Sequence, residues 1–427
     1  MNEDLYIHRD GVYDLLTKNK IKSYFKPNYS KYSIVNIPSL VADHFNINSS
    51  KPLSDKFTKS YLDGCEQIVL ILIDGFGYNL ALEYLKDITF KKIEQNSMFI
   101  PITSTFPSTT TTALSSINTG KTPQEHGVVG HTMYSQKFGT VVNMMRFRSV
   151  IESYSDSLIR AGFNPETYIR SPTIYETLSN EEYTSNVLTK WIYKNSSLSR
   201  MLHKGANMNT YVTSSDLFVI LRKIINSGNS NFTFAYWDSL DTIEHAYGPY
   251  TDEAFAEFKN IFHLFLTELI YKIDKQQQKK TCIMITGDHG LVNVPSTGKL
   301  LANDYPLLTD NLIRPPCGDS RASFLRVKNN KKTEVKNYMK KFKNKLDVFE
   351  TDYLVKKGFF GNGRINGEIK EAIGDLTVLS RSGVNFQYKF KNDQLPKLKG
   401  YHGGLTEDEL LVPFIALRPH DIINSDV

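Results

Sequence analysis

The chain has 427 residues, room for two to three domains or for one large α/β core with an insertion, and enough to bury a core without staples. Its 51 Lys and Arg against 45 Asp and Glu leave a formal charge of +6 spread thinly, which excludes a dedicated nucleic-acid tail but not an anionic substrate. No run of 18 or more apolar residues occurs, the N-terminus opens on an acidic pair, and Cys65, Cys282 and Cys317 lie far apart. A soluble, cytoplasmic chain without membrane span, secretory signal or disulfide framework is therefore expected.

Residues 1–63 read as an N-terminal extension packing on the core, with a Pro-containing segment from Phe25 to Leu40 and a Ser/Lys-rich surface connection from Asn48 to Ser60. Gln67 to Ile73 is a continuous apolar run ended by Asp74-Gly75, as a fully buried parallel strand ends at a turn. Asn231 to Trp237, running into Asp238 and Asp241, and Thr281 to Thr286, running into Gly287-Asp288-His289-Gly290, repeat that grammar. Residues 150–230 read as further helices. The pattern predicts an α/β fold with a mostly parallel central sheet flanked by helices. Ligands of such sheets lie off the carboxyl ends of the strands. From 318 to 399 the character shifts to a small α+β insertion: a strand over Ala322 to Val327, a Lys-rich helix over Thr333 to Leu346, then Gly-rich and alternating segments. The core accordingly comprises 64–317 and 400–427.

Between the first two strands, Pro107-Ser108-Thr109-Thr110 leads a helix that ends before Gly120, with Ser108 or Thr109 at the cap. Asp241 and His245, four apart, share one helical face within reach of a single ion. Asp288-His289 ends a buried strand, and His402 stands before two glycines that give its loop freedom to close on a site. Each residue alone has an ordinary reading as a cap, turn acid or surface His. Together, three Asp, three His and one helix-leading hydroxyl supply N/O ligands for two cations of zinc-like softness, with a helix N-terminus suited to phosphate.

Ile-Asp74-Gly75-Phe76, Thr-Phe-Pro-Ser-Thr-Thr110 leading to Thr119-Gly120, Pro123-Gln-Glu-His126-Gly127, Asp241-Thr-Ile-Glu-His245, Gly-Asp288-His289-Gly290 and His402-Gly-Gly404 stand in family order over about four fifths of the chain. By these motifs the chain resembles the nucleotide pyrophosphatase/phosphodiesterase family (type I phosphodiesterases) of the alkaline phosphatase superfamily. The resemblance implies an alkaline-phosphatase-like core and two Zn2+ per chain, one held by Asp241, His245 and His402, the other by Asp74, Asp288 and His289. It implies that Thr110, ten residues before Gly120, binds the second ion and attacks phosphorus, while His126 is not a ligand. The activity implied is hydrolysis of a small-molecule phosphodiester or nucleotide through a phospho- or nucleotidyl-threonine, with no nucleic-acid-binding module.

Two departures bear on specificity. The family's Phe-Pro-Asn-His after the nucleophile is here Thr111-Thr112-Ala113-Leu114, which removes one wall of the base clamp. His131 stands where the family has a phosphoryl-binding Asn and is assigned that catalytic role. Met133, Tyr134 and Phe138, close in sequence to His131, are expected as apolar contacts near phosphorus, with Arg146 and Arg148 behind them. The alternatives are a phosphomonoesterase or phosphonate hydrolase of the phosphonoacetate hydrolase type and, more remotely, a non-catalytic binding protein with this fold.

Overall fold

A computed structural model describes residues 3–47, 53, 60–229, 231–363, 365–390 and 397–425. Apart from Leu53, the connection expected over Asn48 to Ser60 lies almost wholly outside the described residues. The central sheet has seven strands: β1 (Gln67–Ile73), β2 (Met98–Thr103), β3 (Ser185–Lys190), β4 (Asn207–Tyr211), β5 (Phe232–Trp237), β6 (Thr281–Gly287) and β7 (Leu411–Leu417), in the order β2-β7-β6-β1-β5-β3-β4. β7 runs antiparallel to β6 and β2, and every other pairing is parallel. The sheet is therefore mixed, mostly parallel and flanked by helices.

β1 lies at the centre because Ile68 to Ile73 are apolar on both faces, and each is at most 2% exposed. β7 tolerates Pro413 inside a seven-residue buried strand because Pro413 and Pro101 of β2 form a pair across which no hydrogen bonds are exchanged, and on its other side the pairing with β6 ends at Phe414. Register then aligns the chemistry: Ile73 of β1 is level with Trp237 of β5 and Gly287 of β6. Asp74, Asp238 and Asp288 each follow immediately, so three acids emerge from three adjacent strand ends.

The stretch 150–230, expected as helices, also supplies β3 and β4. β4 reads Asn-Met-Asn-Thr-Tyr and is mostly half-buried, an edge strand too polar to show the apolar signal of a central one. The helix expected from Thr333 to Leu346 spans Lys332–Met339 and tightens to a 3-10 turn at Lys340–Phe342, and Leu346 already opens a strand.

A second, wholly antiparallel sheet of seven strands combines Leu346–Glu350, Leu376–Ser380, Ala322–Leu325 and Cys317–Gly318 with Thr132–Ser135, Thr140–Asn143 and Arg148–Ser149. The pairing of Gly318 with Thr132 joins the 318–399 segment to the hairpins before β3. The N-terminal extension packs on the core through buried Val12, Leu16, Tyr24 and Phe25, with Arg9 on Glu94 at 3.0 Å and Tyr13 on Glu407 at 2.7 Å. All three cysteines are buried and free. Among the described residues no helix is long and apolar enough to cross a membrane.

Candidate active site and metal centre

Two helices carry the site off the strand ends. Helix α1 (Thr110–Thr119) follows β2, and α2 (Ser239–Tyr247) follows β5. Thr110 is the first residue of α1, so its hydroxyl lies beside backbone N–H groups that have no partner in the preceding turn. Thr109 holds the cap position, yet its side chain makes no capping bond. Ser108 does not cap either; its hydroxyl donates to the Gly404 carbonyl at 2.8 Å and ties the start of α1 to the His402 loop.

The structure brings all seven expected ligands together in two overlapping groups. Asp241, His245 and His402 present ligand atoms within 4.8 Å of one another, as do Asp74, Asp241 and His289, which leaves Asp241 facing both groups. Asp288 adjoins the second group, with Oδ2 3.4 Å from His289 Nε2. The Thr110 hydroxyl lies 3.1 Å from the same nitrogen, and Asp74 Oδ1 lies 3.6 Å from it.

Hydrogen bonds to the far side of each group aim the free atoms inward. His245 Nδ1 donates to the Gly400 carbonyl at 2.9 Å and His402 Nδ1 to the Ser108 carbonyl at 3.2 Å, so each ring keeps its Nε2 lone pair for the centre. Asp288 Oδ1 accepts from the backbone N–H groups of Gly75 at 3.1 Å and His289 at 2.9 Å, while its Oδ2 has no hydrogen-bond partner. Tyr236 donates its hydroxyl to Asp74 Oδ2 and leaves Oδ1 unpartnered. Gly75 lets β1 turn beneath α2: its φ is +81°, and a Cβ there would sit 3.0 Å from Asp241 Cα.

The electrostatics call for positive charge. Burial, then mutual repulsion, pushes the Asp74 carboxyl well above its ordinary range, and burial also raises Asp241 and Asp288. Burial pushes the imidazoles of His289 and His402 down. Buried carboxylate oxygens without partners, beside imidazole lone pairs, form a donor set that fits two divalent cations.

Two cavities open on this centre. The larger, about 720 Å3, is lined by Asp74, Thr110, His131, Asp241, His245 and His402, and extends past Arg146, Tyr193 and His203. The smaller, about 320 Å3, reaches His131, His245 and His402 from the second sheet, past Asp319 and Phe386. His131 faces both, and its Nε2 accepts from the Asn143 amide at 3.0 Å.

The expected apolar contacts near phosphorus are placed elsewhere. Phe138 packs on Phe147 and Phe163, Met133 accepts a hydrogen bond from Tyr168, and Tyr134 stacks under Arg314. None of the three lines either cavity: Met133 and Tyr134 are consecutive on the 132–135 strand and leave it on opposite faces, and Phe138 lies beyond its end. Leu114, Met145 and Phe234 line the larger cavity instead, and Arg146 lines it while Arg148 lines the smaller one. His126 is buried, bonded to Ser116 and to Val128 N–H, and burial lowers its pKa to about 3, as suits an uncharged structural ring.

Sequence reasoning missed Tyr236, Asn143 and the buried pair Arg321–Glu409, whose carboxylate accepts from Gly404 N–H at 2.8 Å. Tyr236 alone left a trace, as a polar-tipped residue at the end of an otherwise buried strand; the others reach the site from elements distant in sequence.

Murine ectonucleotide pyrophosphatase/phosphodiesterase 5 superposes with a TM-score of 0.62 at 16% identity, covering 82% of this chain and 88% of that one. The inactive form of that murine protein in complex with AMP gives 0.61 at 17%, covering 83% and 88%. Phosphonoacetate hydrolase from Sinorhizobium meliloti 1021 in complex with phosphonoformate gives 0.61 at 18%, covering 84% and 94%. No curated protein sequence matches the chain. The sequence pattern described as Type I phosphodiesterase / nucleotide pyrophosphatase matches residues 68–405, and the chain belongs to that family of metal-dependent hydrolases in the alkaline phosphatase superfamily.

Proposed function

We propose that the protein is a two-zinc hydrolase of phosphodiester or phosphoanhydride bonds that works through a covalent phospho- or nucleotidyl-threonine. The observation that carries this reading is the Thr110 hydroxyl at the N-terminus of α1, 3.1 Å from His289 Nε2 at the edge of two ligand groups that share Asp241. Asp241, His245 and His402 would hold one ion, and Asp74, Asp288, His289 and Thr110 the other. When bound, the ions would supply the Lewis acidity that stabilises charge developing on the attacking and leaving oxygens.

The chain's own residues do the rest. Thr110 attacks phosphorus in line, forming the Oγ–P bond as the bond to the leaving oxygen breaks, and water then cleaves Oγ–P to restore the hydroxyl. The first N–H groups of α1 and His131 would donate to the equatorial oxygens. Tyr236 and the Gly75 and His289 N–H groups keep Asp74 and Asp288 oriented through turnover.

The test is Thr110→Ala, expected to abolish turnover of a nucleotide 4-nitrophenyl ester while zinc content and fold persist. Thr109→Ala, whose hydroxyl makes no capping bond, is expected to keep most of the activity. An inactive Thr109→Ala beside an active Thr110→Ala would move the nucleophile by one residue. A kcat/KM for 4-nitrophenyl phosphate equal to or above that for bis(4-nitrophenyl) phosphate would instead favour the monoesterase or phosphonate-hydrolase reading.

A further inference from the structure

The two cavities share His131, His245 and His402, but they are not equivalent. Thr110 and Asp74 line the larger and not the smaller. In-line displacement places the attacking and leaving oxygens on opposite sides of phosphorus. With Thr110 attacking from beside His289, the departing oxygen lies towards His245 and His402, and its substituent extends beyond them. The smaller cavity begins there.

We propose that the cavity between these histidines and the second sheet is the leaving-group subsite, and that it takes an uncharged alcohol about one ring in size. This rests on the diesterase reading above. The cavity's volume, about 320 Å3, is at the small end of ligand pockets. Val150 and Phe386 supply apolar walls, and the Ser320 hydroxyl and Asp319 carboxylate supply polar contacts. The charged groups lining it are Asp319 and Arg148, and the Arg148 guanidinium donates to the carbonyls of Ser149 and Glu152. Beyond the ion that His245 and His402 would hold at its edge, one carboxylate against one guanidinium leaves no net positive charge within the cavity to receive a departing phosphate or pyrophosphate. The larger cavity carries Arg146 and suits the retained substituent.

The experiment uses the zinc-loaded protein with Ser320→Phe, which narrows the smaller cavity without touching a ligand or Thr110. Thymidine 5′-(4-methylumbelliferyl phosphate), with the larger leaving group, is expected to lose about tenfold more kcat/KM than thymidine 5′-(4-nitrophenyl phosphate). Methyl 4-nitrophenyl phosphate, which differs only in the retained group, is expected to lose as much as the thymidine nitrophenyl ester. Ser320→Leu is expected to give the same ranking with a smaller spread, which guards against misfolding of the bulkier variant. Asp319→Asn is expected to raise turnover of thymidine triphosphate about tenfold relative to the nitrophenyl ester. Losses that track the retained group, or equal losses on every substrate, would overturn the assignment. Wild-type protein that hydrolyses aryl monoesters and none of these diesters would overturn the diesterase reading, and the subsite with it.

Discussion

His131 is an uncharged ring: burial, helped by Arg146 and His245, lowers its pKa to about 4. The Asn143 amide sets its tautomer. Asn143 Oδ1 accepts from the Arg146 N–H at 2.9 Å, which leaves Nδ2 as the atom facing His131 Nε2 at 3.0 Å. Nε2 therefore accepts, and the ring proton resides on Nδ1, a neutral donor of the kind the phosphoryl oxygens require. His131→Ala is expected to lower kcat by roughly 100-fold, the scale for one transition-state donor, with His131→Asn recovering part of it. A loss of tenfold or less in steady-state kinetics would make the ring structural. The position of His131 was legible from its offset to Thr110. Asn143 was not, because only the antiparallel register of the 132–135 and 140–143 strands sets it beside His131.

The His402-Gly403-Gly404 loop is held by an ion pair that no motif announces. Arg321 meets Glu409 with both side chains fully buried, at 2.9 and 2.8 Å, and Glu409 also accepts from Gly404 N–H and the Thr406 hydroxyl. Arg321 donates in turn to the carbonyls of Arg381 and Val384, so segments beside the second sheet help fix the loop that carries His402. Gly403 has φ +112°, and a Cβ there would collide with the Asp319 carboxyl, which is why the loop needs glycine at that point. Removing one partner strands the other as a buried charge, at a cost of about 3–5 kcal/mol. Arg321→Met is expected to destabilise by that amount in urea denaturation and to weaken zinc retention, whereas Arg321→Met/Glu409→Leu is expected to be less damaging than the single change. A cost below about 1 kcal/mol for Arg321→Met would show that the pair does not hold the loop.

Across the molecule, the buried carboxyls and imidazoles make metal-free stability depend on pH in a definite direction. The raised pKa values of Asp74, Asp241 and Asp288 contribute stability that is full below the ordinary carboxyl pKa and is lost as pH rises through the folded values. The lowered values of His131, His289 and His402 act oppositely: their contribution is complete above the ordinary imidazole pKa of about 6.5 and is lost as pH falls below it. Above pH ~6.5 the imidazole contribution is complete, so from there the Tm of chelator-treated protein is expected not to rise with pH, and to fall for as long as the raised carboxyls are still ionising. On the two-zinc reading proposed above, added zinc is expected to raise Tm and flatten that slope by binding the folded state. A metal-free Tm that climbs as pH rises above about 6.5 in calorimetry would count against the acid cluster.

Read from the sequence alone, the central strands, the acids that end them, the Asp241/His245 spacing and the family motifs were all legible. Each is a local pattern: a buried parallel strand must be apolar throughout, and a ligand at its end must interrupt that run. The sharing of Asp241 between two ligand groups, the orientation of Asp74 by Tyr236, the ion pair behind His402 and the paired cavities depend on contacts between elements up to hundreds of residues apart. So does the packing of Met133 on Tyr168, Tyr134 on Arg314 and Phe138 on Phe147 and Phe163, which keeps all three out of the two cavities although they are close to His131 in sequence. Such contacts follow from strand register and sheet packing, and these are set by how the whole core buries its apolar surface, which no local run of residues records.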